Sequence, residues 1–152
     1  MTNLHFDSVE LDKVKNEWDH ILDTLPSFHK RNADVDWSWH NLYECLTKGY
    51  ANLIWIKQGQ ENVGYVVYNW LKEMKGTSYM NLWLYYLYPE YRQGLKATKE
   101  ITCKMLSYLT ELCRLAGAEY LSMPTTNQAW RRLLGDFVQV KSITLYRSCS
   151  HG

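Results

Sequence analysis

The stretch from Ser78 to Cys113 most constrains the fold, because its hydrophobic period changes within it. Residues 78–88 are aromatic and aliphatic and predict a strand that stops at Pro89. From Lys96 the apolar residues recur at helical spacing, and they share one face: Ile101, Met105, Tyr108, Leu109, Leu112 and Ala116. A strand–helix–strand passage of this kind requires a right-handed crossover between parallel strands. Parallel pairing is therefore predicted between residues 78–88 and the short apolar strand at residues 119–123, which follows the helix stop at Gly117.

The first fifty residues predict one strand and two helices. Residues 4–9 alternate between apolar and polar, as a strand does, and Ser8 can cap a helix that begins near Glu10. Pro26 is expected to end that helix, and the polar stretch at residues 29–36 is expected to be a loop.

A second helix and three consecutive strands follow that loop. Asp36 or Ser38 can cap the helix, and Gly49 is expected to end it. The strands are predicted at residues 51–57, 63–71 and 78–88, joined by short polar turns. They read as an antiparallel meander.

The end of the chain completes the order of elements. A short helix is predicted from Asn127 to Leu134, and a last strand or strand pair at residues 137–146. The order is β-α-α-β-β-β-α-β-α-β, with no internal repeat and no linker. The predicted fold class is α/β (α+β), with residues 1–152 in a single domain and a mixed, mostly antiparallel central sheet flanked by helices.

Charge and composition exclude several classes of function. The formal net charge is +1, so no global field recruits nucleic acid, and no apolar run is long enough to span a membrane. The N-terminus lacks the pattern of a signal peptide, and the four cysteines have no metal-ligand spacing, which indicates free thiols in a cytoplasmic protein without a metal. Seven Trp and twelve Tyr exceed what a core of this size needs, which makes a homodimer reasonable.

The turn after residue 88 is the one place where the sequence points to chemistry. It contains Arg92, Gly94 and Lys96, and it opens the long helix. Backbone N–H groups and the positive end of the helix dipole attract anions at such a turn, and basic side chains add charge. The alternative is that Lys96 and its neighbour Lys99 form a solvated helix face.

The order of elements and four local motifs resemble the GNAT superfamily of N-acetyltransferases. Residues 87–92, Leu-Tyr-Pro-Glu-Tyr-Arg, resemble the Val-x-Pro-Glu-Tyr-Arg of its fourth strand end. Gly117 and Ala118 resemble the Gly-Ala after its central helix, Asn127 the Asn that opens its last helix, and residues 134–137 its Leu-Gly-Phe. The resemblance covers roughly residues 50–147, and the region before it in element order only. Within the superfamily, the sequence most resembles GNAT-like proteins of tailed phages.

The resemblance implies an acetyl-CoA cosubstrate and an amine acceptor, either a small molecule or a protein. Backbone groups of Tyr86, Leu87 and Tyr88 would pair with the pantetheine arm, and Asn127 and Arg131 of the last helix would contribute to the same site. The turn would wrap the pyrophosphate through Arg92, Gln93, Gly94, Leu95, Lys96, Ala97 and Thr98. The amine would attack the thioester directly, without a covalent enzyme intermediate.

The sequence departs from the family pattern in the phosphate motif and at the positions where proton transfer is expected. The phosphate motif has Leu95 where a glycine is usual, and Arg131 stands where many members have a tyrosine. No acidic residue occurs in residues 78–88, so Tyr85, Tyr86 and His40 are the candidates for proton transfer. The alternative to an enzyme is therefore a GNAT-like binding or structural protein without catalysis.

Overall fold

The computed structural model of the protein describes residues 3–33, 35–124, 129–135, 138–139 and 149, with only the backbone at 129–131. The strands are β1 (Leu4–Ser8), β2 (Asn52–Gln58), β3 (Glu61–Lys72), β4 (Ser78–Leu87) and β5 (Tyr120–Ser122). The helices are α1 (Val14–Arg31), α2 (Trp39–Thr47), α3 (Leu95–Ala116) and α4 (Ala129–Leu134). The described part of the chain contains no helix long and apolar enough to cross a membrane.

The five strands form one sheet in chain order, β1-β2-β3-β4-β5. The first three neighbouring pairs are antiparallel, and β4 and β5 are parallel. This confirms the mixed, mostly antiparallel sheet that the sequence predicts. The parallel pair results from the crossover through α3, as the change of hydrophobic period implies.

Helices cover both faces of the sheet, so a separate hydrophobic cluster lies on each face. The first cluster, which we call the α1–α2 face, joins Tyr65, Leu84 and Tyr86 of the sheet to apolar side chains of the two helices: Val14, Trp18, Ile21, Leu25, Phe28, Leu42 and Leu46. The second, the α3 face, joins other strand residues to the buried stripe of α3: Ile101, Met105, Leu106, Leu109 and Cys113. That stripe has the 3.6-residue period read from the sequence.

The predicted end of the first helix at Pro26 is wrong. Pro26 lies inside α1, which continues to Arg31, so the first residues of the predicted loop at 29–36 are helical. Proline removes one backbone hydrogen bond. Phe28, only 7% exposed, packs into the α1–α2 face beyond the proline and stabilises that last turn. Asn32 ends the helix, and its backbone N–H donates to the carbonyl of Phe28 at 2.9 Å.

The predicted cap of the first helix at Ser8 is also wrong, because Ser8 belongs to β1 and a short 3-10 turn precedes α1. For α2 the cap is Ser38 and not Asp36. The backbone N–H of Ser38 donates to Oδ1 of Asn41 at 2.8 Å, which satisfies a group at the helix start. The helix ends at Thr47.

The predictions for the end of the chain are only partly within the described residues. The short helix is present as α4, which begins at Ala129. The predicted last strand at residues 137–146 lies outside the described residues except for 138 and 139.

Candidate active site

A β-bulge in β4 shapes the centre of the sheet. Val67 of β3 faces Leu84, whereas the next residue, Tyr68, faces Leu82, so Trp83 is an extra residue in β4. As a result Trp83 and Leu84 both pack against the α1–α2 face. Such an insertion bends a strand and disrupts its ladder locally.

Beyond the bulge, the second edge of β4 is open. β5 pairs only with Tyr79, Met80 and Asn81. Within the described residues, β4 therefore continues from Leu82 to Leu87 with β3 as its only strand neighbour. This gap between two parallel strands is the splay that the family resemblance implies.

The backbone of β4 determines which groups face the gap. The N–H of Tyr88 donates to the carbonyl of Val63 in β3 at 3.0 Å. Backbone groups alternate in direction along an antiparallel strand. The groups of Tyr86 therefore point towards β3, and those of Tyr85 and Leu87 point towards the open edge. These two residues offer strand-like donors and acceptors to a ligand. Of the three residues that the resemblance assigns to the pantetheine arm, Leu87 faces the gap, whereas Tyr86 and Tyr88 present their backbone groups to β3.

The turn after β4 is tied to the β2–β3 hairpin. The Tyr91 hydroxyl donates to Oε2 of Glu61 at 2.5 Å, and this hydrogen bond to the carboxylate raises the pKa of Tyr91. The chain then passes through Gly94, whose φ of 94° lies in the left-handed region that favours glycine. Gly94 is the N-cap of α3, so the turn at residues 88–94 joins the open strand edge to a helix N-terminus.

The N-terminus of α3 presents unpaired donors. The carbonyl of Gly94 accepts from the N–H and the Oγ1 of Thr98, at 3.3 and 3.0 Å. The N–H groups of Leu95, Lys96 and Ala97 come before the first intrahelical acceptor and carry the positive end of the dipole of a 22-residue helix. The side chains of Gln93, Leu95 and Lys96 are exposed, and Thr98 is partly exposed.

Arg92, which the sequence places in this turn, extends to the α1–α2 face. The guanidinium lies 5.3 Å from the ring centre of Tyr86, and Nη2 donates to the Ser27 hydroxyl at 3.5 Å. Arg31, in the last turn of α1, lies close to the same group. Partial burial lowers the pKa of Arg31, and the charge of Arg92 lowers it further.

The three candidates for proton transfer do not come together. Tyr85 points to the α3 face, where its hydroxyl lies 2.9 Å from Thr102 Oγ1, and burial raises its pKa. Tyr86 is buried on the opposite face, between the rings of Tyr65 and Tyr88, at 5.7 and 5.6 Å. His40 is exposed on α2.

His40 has a surface environment in the structure. Its ring stacks on that of Trp39 at 3.5 Å. Glu44, four residues further along the helix, accepts a hydrogen bond from Lys48 Nζ at 2.6 Å. Asn127 and the side chain of Arg131 lie outside the described residues.

Two features of the site are absent from the sequence reading. Arg31 is not predicted as a site residue because the first helix is predicted to end at Pro26. The bulge at Trp83 is not predicted either. The only signal is the strand length, since the ten residues of β4 are more than an open meander needs.

The sequence matches no family model, and no curated protein matches it either. Solved structures do match over almost the whole chain. A ribosomal-protein-alanine N-acetyltransferase from Brucella melitensis biovar Abortus 2308 has a TM-score of 0.68 at 13% identity, covering 98% of this chain and 100% of its own. The protein has the GNAT acetyltransferase fold.

Two further GNAT structures resemble the chain over a similar extent. An aminoglycoside acetyltransferase from an uncultured soil metagenomic sample, in complex with sisomicin, has a TM-score of 0.65 at 10% identity and 97% coverage of both chains. A predicted acetyltransferase from Clostridium acetobutylicum, with acetyl-CoA, has a TM-score of 0.64 at 10% identity and 96% coverage of both chains. The solved structures give no support to a phage origin.

Proposed function

We propose that the protein is an acyl-CoA-dependent N-acyltransferase that transfers acetyl from acetyl-CoA to an amine. One observation carries the proposal: a turn of seven residues, 88–94, joins the open edge of β4 to the N-terminus of α3. A strand edge binds the amide groups of an extended molecule, and a helix N-terminus binds phosphate. A CoA thioester has both kinds of group, in that order.

The residues present fit such a ligand. Tyr85 and Leu87 would pair with the pantetheine amides through their backbone groups, because those groups face the open edge. The pyrophosphate would lie against the N–H groups of Leu95, Lys96 and Ala97. The Leu95 side chain, which replaces a glycine of the family motif, is 73% exposed and so does not pack across these donors. Asn127 and Arg131 stay predictions of the family resemblance.

The reaction would be a direct attack by the amine. The amine nitrogen bonds to the thioester carbonyl carbon, the carbon–sulfur bond breaks, the nitrogen loses a proton and the CoA thiolate gains one. The enzyme's tasks are positioning and proton transfer. The Clostridium acetobutylicum structure holds acetyl-CoA, and ribosomal-protein alanine and aminoglycosides, the acceptors of the other two, are amines, which supports this class of reaction.

Acetyl-CoA is expected to stabilise the protein. At a concentration one hundred times its dissociation constant, a ligand of the native state adds about 2.7 kcal/mol to the free energy of unfolding. For a chain of this length that is a rise of about 5–11 °C in Tm, which a thermal melt measures. An unchanged Tm at millimolar acetyl-CoA would contradict the proposal. A rise without CoA release on a panel of amines would indicate a binding protein without catalysis.

We assign the proton transfer to Tyr86 before Tyr85. The Tyr85 hydroxyl interacts with Thr102 and faces α3, away from the α1–α2 face. Tyr86 lies on the α1–α2 face under the guanidinium of Arg92. A phenol hydroxyl can donate a proton to a departing thiolate.

Tyr86→Phe is expected to lower kcat about tenfold or more while acetyl-CoA binding stays intact, because a general acid contributes roughly a hundredfold or more. Tyr85→Phe is the matched control on the opposite face, and we expect a change of less than about twofold because its hydroxyl faces α3. The assay is CoA release from acetyl-CoA with a panel of amines. A lowered kcat in His40→Ala, together with an unchanged kcat in Tyr86→Phe, would indicate that His40 and not Tyr86 transfers the proton.

We also propose a cytoplasmic location, which the free thiols of Cys45, Cys103 and Cys113 support. The homodimer stays a prediction from the aromatic content.

A further inference from the structure

Two arginines converge on the α1–α2 face beside the open edge of β4. Arg92 reaches Ser27 of α1 and covers the ring of Tyr86. Arg31 is four residues after Ser27, so the two share one face of α1. Arg92 lies close enough to Arg31 for its charge to lower the pKa of Arg31, in addition to the larger effect of partial burial. We call them the arginine pair.

Within the described residues, no carboxylate forms an ion pair with the arginine pair. The acidic partners of the ion pairs there are elsewhere: Asp7, Glu10, Glu44, Glu73, Glu100 and Glu111. Acidic side chains do lie near Tyr88, whose pKa is raised by burial first and then by Tyr86, Glu90, Asp23 and Glu17. Two like charges that have no ion-pair partner among the described residues disfavour each other, and a bound anion relieves this.

The surroundings of the arginine pair are aromatic. The ring of Trp37 stacks on Phe28 at 5.5 Å and meets Trp83 of the bulge edge-on at 5.9 Å. The ring of His29 lies 5.0 Å from Trp37. Phe28, Trp37 and Trp83 pack on the α1–α2 face, which Arg92 reaches through Ser27 and Tyr86.

The position of the pair connects it to the reaction. Tyr86, under Arg92, lies between Tyr85 and Leu87, whose backbone groups face the open edge where the thioester would bind. A molecule held by an acidic group at the pair extends from there towards that edge. Arginine suits this role because its planar fork binds carboxylate and phosphate through two hydrogen bonds.

We propose that the arginine pair binds an anionic group of the acceptor, so that the acceptor is an amine carrying a carboxylate or a phosphate. This inference rests on the proposed acyltransferase function. Neutral amines lack the group that the pair binds, and cationic amines are repelled by it.

Binding to the pair is tested with small probes of the reaction product and the acceptor. Thermal melts compare N-acetylglycine with N-acetylglycinamide, and O-phosphoethanolamine with ethanolamine, at equal ionic strength. In at least one of the two comparisons, we expect the probe that carries the carboxylate or phosphate to raise Tm more than the probe that lacks it. The first comparison detects carboxylate recognition and the second phosphate recognition. Equal shifts within both comparisons would overturn the proposal.

The variants assign the effect to the arginine pair. Arg31→Gln and Arg92→Gln are expected to abolish the difference in Tm rise between the probes with a carboxylate or phosphate and those without. Arg31→Lys, which keeps the positive charge, should retain part of this difference. Lys30→Gln is the matched control, since it removes the same charge from an exposed neighbour in the last turn of α1. A difference that persists in Arg31→Gln would overturn the proposal.

Acetyl-CoA binding, measured in the same variants, separates this inference from the proposed function. We expect Arg31→Gln to bind acetyl-CoA within about twofold of the parent, because the α3 N-terminus is unchanged. A tenfold loss of affinity for acetyl-CoA in Arg31→Gln would show that the arginine pair belongs to the CoA site, and it would overturn the acceptor role. Failure of the parent protein to bind acetyl-CoA would overturn the acyltransferase function and with it the acceptor role. The probe comparison would still show whether the arginine pair binds a carboxylate or a phosphate, so the two failures are distinguishable.

Discussion

Glutamate in place of Leu95 is expected to weaken acetyl-CoA binding about tenfold to a hundredfold, or about 1.4–2.8 kcal/mol, while the fold stays intact. Leu95 is the first residue of α3, and its side chain is 73% exposed, so no packing is lost. A carboxylate at this end is favourable for the helix dipole. The same carboxylate lies beside the donors proposed for the pyrophosphate and repels its negative charges. Stability and affinity should therefore change in opposite directions.

Leu115→Glu is the matched control, because it makes the same substitution at a side chain of similar exposure, 68%, near the other end of α3. Twenty residues of helix separate the two positions, which is about 30 Å. Isothermal titration with acetyl-CoA gives the affinities, and thermal melts without ligand give the stabilities. We expect Leu115→Glu to bind as the parent does and to be slightly less stable, since a negative charge near a helix C-terminus is unfavourable.

Equal affinities for the two variants would show that the N-terminus of α3 does not hold the phosphates. The proposed binding mode would then be wrong even if acetyl-CoA still binds. Repeating the titration at higher salt refines the result. Dissolved ions screen charges at an exposed site such as this one, so the difference in affinity between Leu95→Glu and the parent should become smaller.

The order of elements is readable from the sequence because hydrophobic period and turn residues agree along most of the chain. The stripe from Ile101 to Ala116 has helical spacing, and Gly117 follows it with a positive φ of 74°. The parallel pairing of β4 with β5 then follows from the length of the crossover. These features depend on local patterns, so the sequence alone predicts them.

The errors occur where tertiary packing outweighs a local signal. Pro26 is a helix stop by local rules, yet Phe28 and the last turn of α1 pack beyond it. That error hides Arg31, and with it the arginine pair, because a residue predicted in a loop has no predicted face. The bulge at Trp83 depends on the partner strand and leaves no local pattern. Without it, strict alternation would place Leu82 and Leu84 on the same face.

The candidate site divides in the same way. The anion-binding role of the turn from Arg92 to Thr98 is predicted from residue types, because the backbone N–H groups of a glycine-containing turn at a helix N-terminus bind anions. Which backbone groups of β4 face the gap depends on the register with β3, which the sequence does not specify. The direction of the Arg92 side chain depends on Ser27 and Tyr86, which are distant in sequence.

Alanine in place of Gly64 is expected to have the largest effect on stability, about 3 kcal/mol, at the upper end of what overpacking usually costs. Gly64 lies in β3 opposite Leu87 and has no positive φ, so glycine is not required there for its backbone conformation. Glycine is required because β4 approaches closely. An added Cβ would lie 2.1 Å from the carbonyl oxygen of Tyr86 and 2.9 Å from Cδ2 of Leu87. A backbone oxygen cannot rotate away, so the strands must separate.

Gly59→Ala is the control for this substitution, because Gly59 is in the β2–β3 turn with a φ of 63° and no atom within 4 Å of an added Cβ. It carries the cost of a left-handed alanine, about 1–2 kcal/mol, without a steric clash. Denaturant unfolding gives the free energies. Since separating the strands would displace Leu87 and with it the open edge of β4, Gly64→Ala should also weaken acetyl-CoA binding, whereas Gly59→Ala should not. Equal stabilities and equal affinities for the two variants would show that β3 does not fix the position of the open edge of β4.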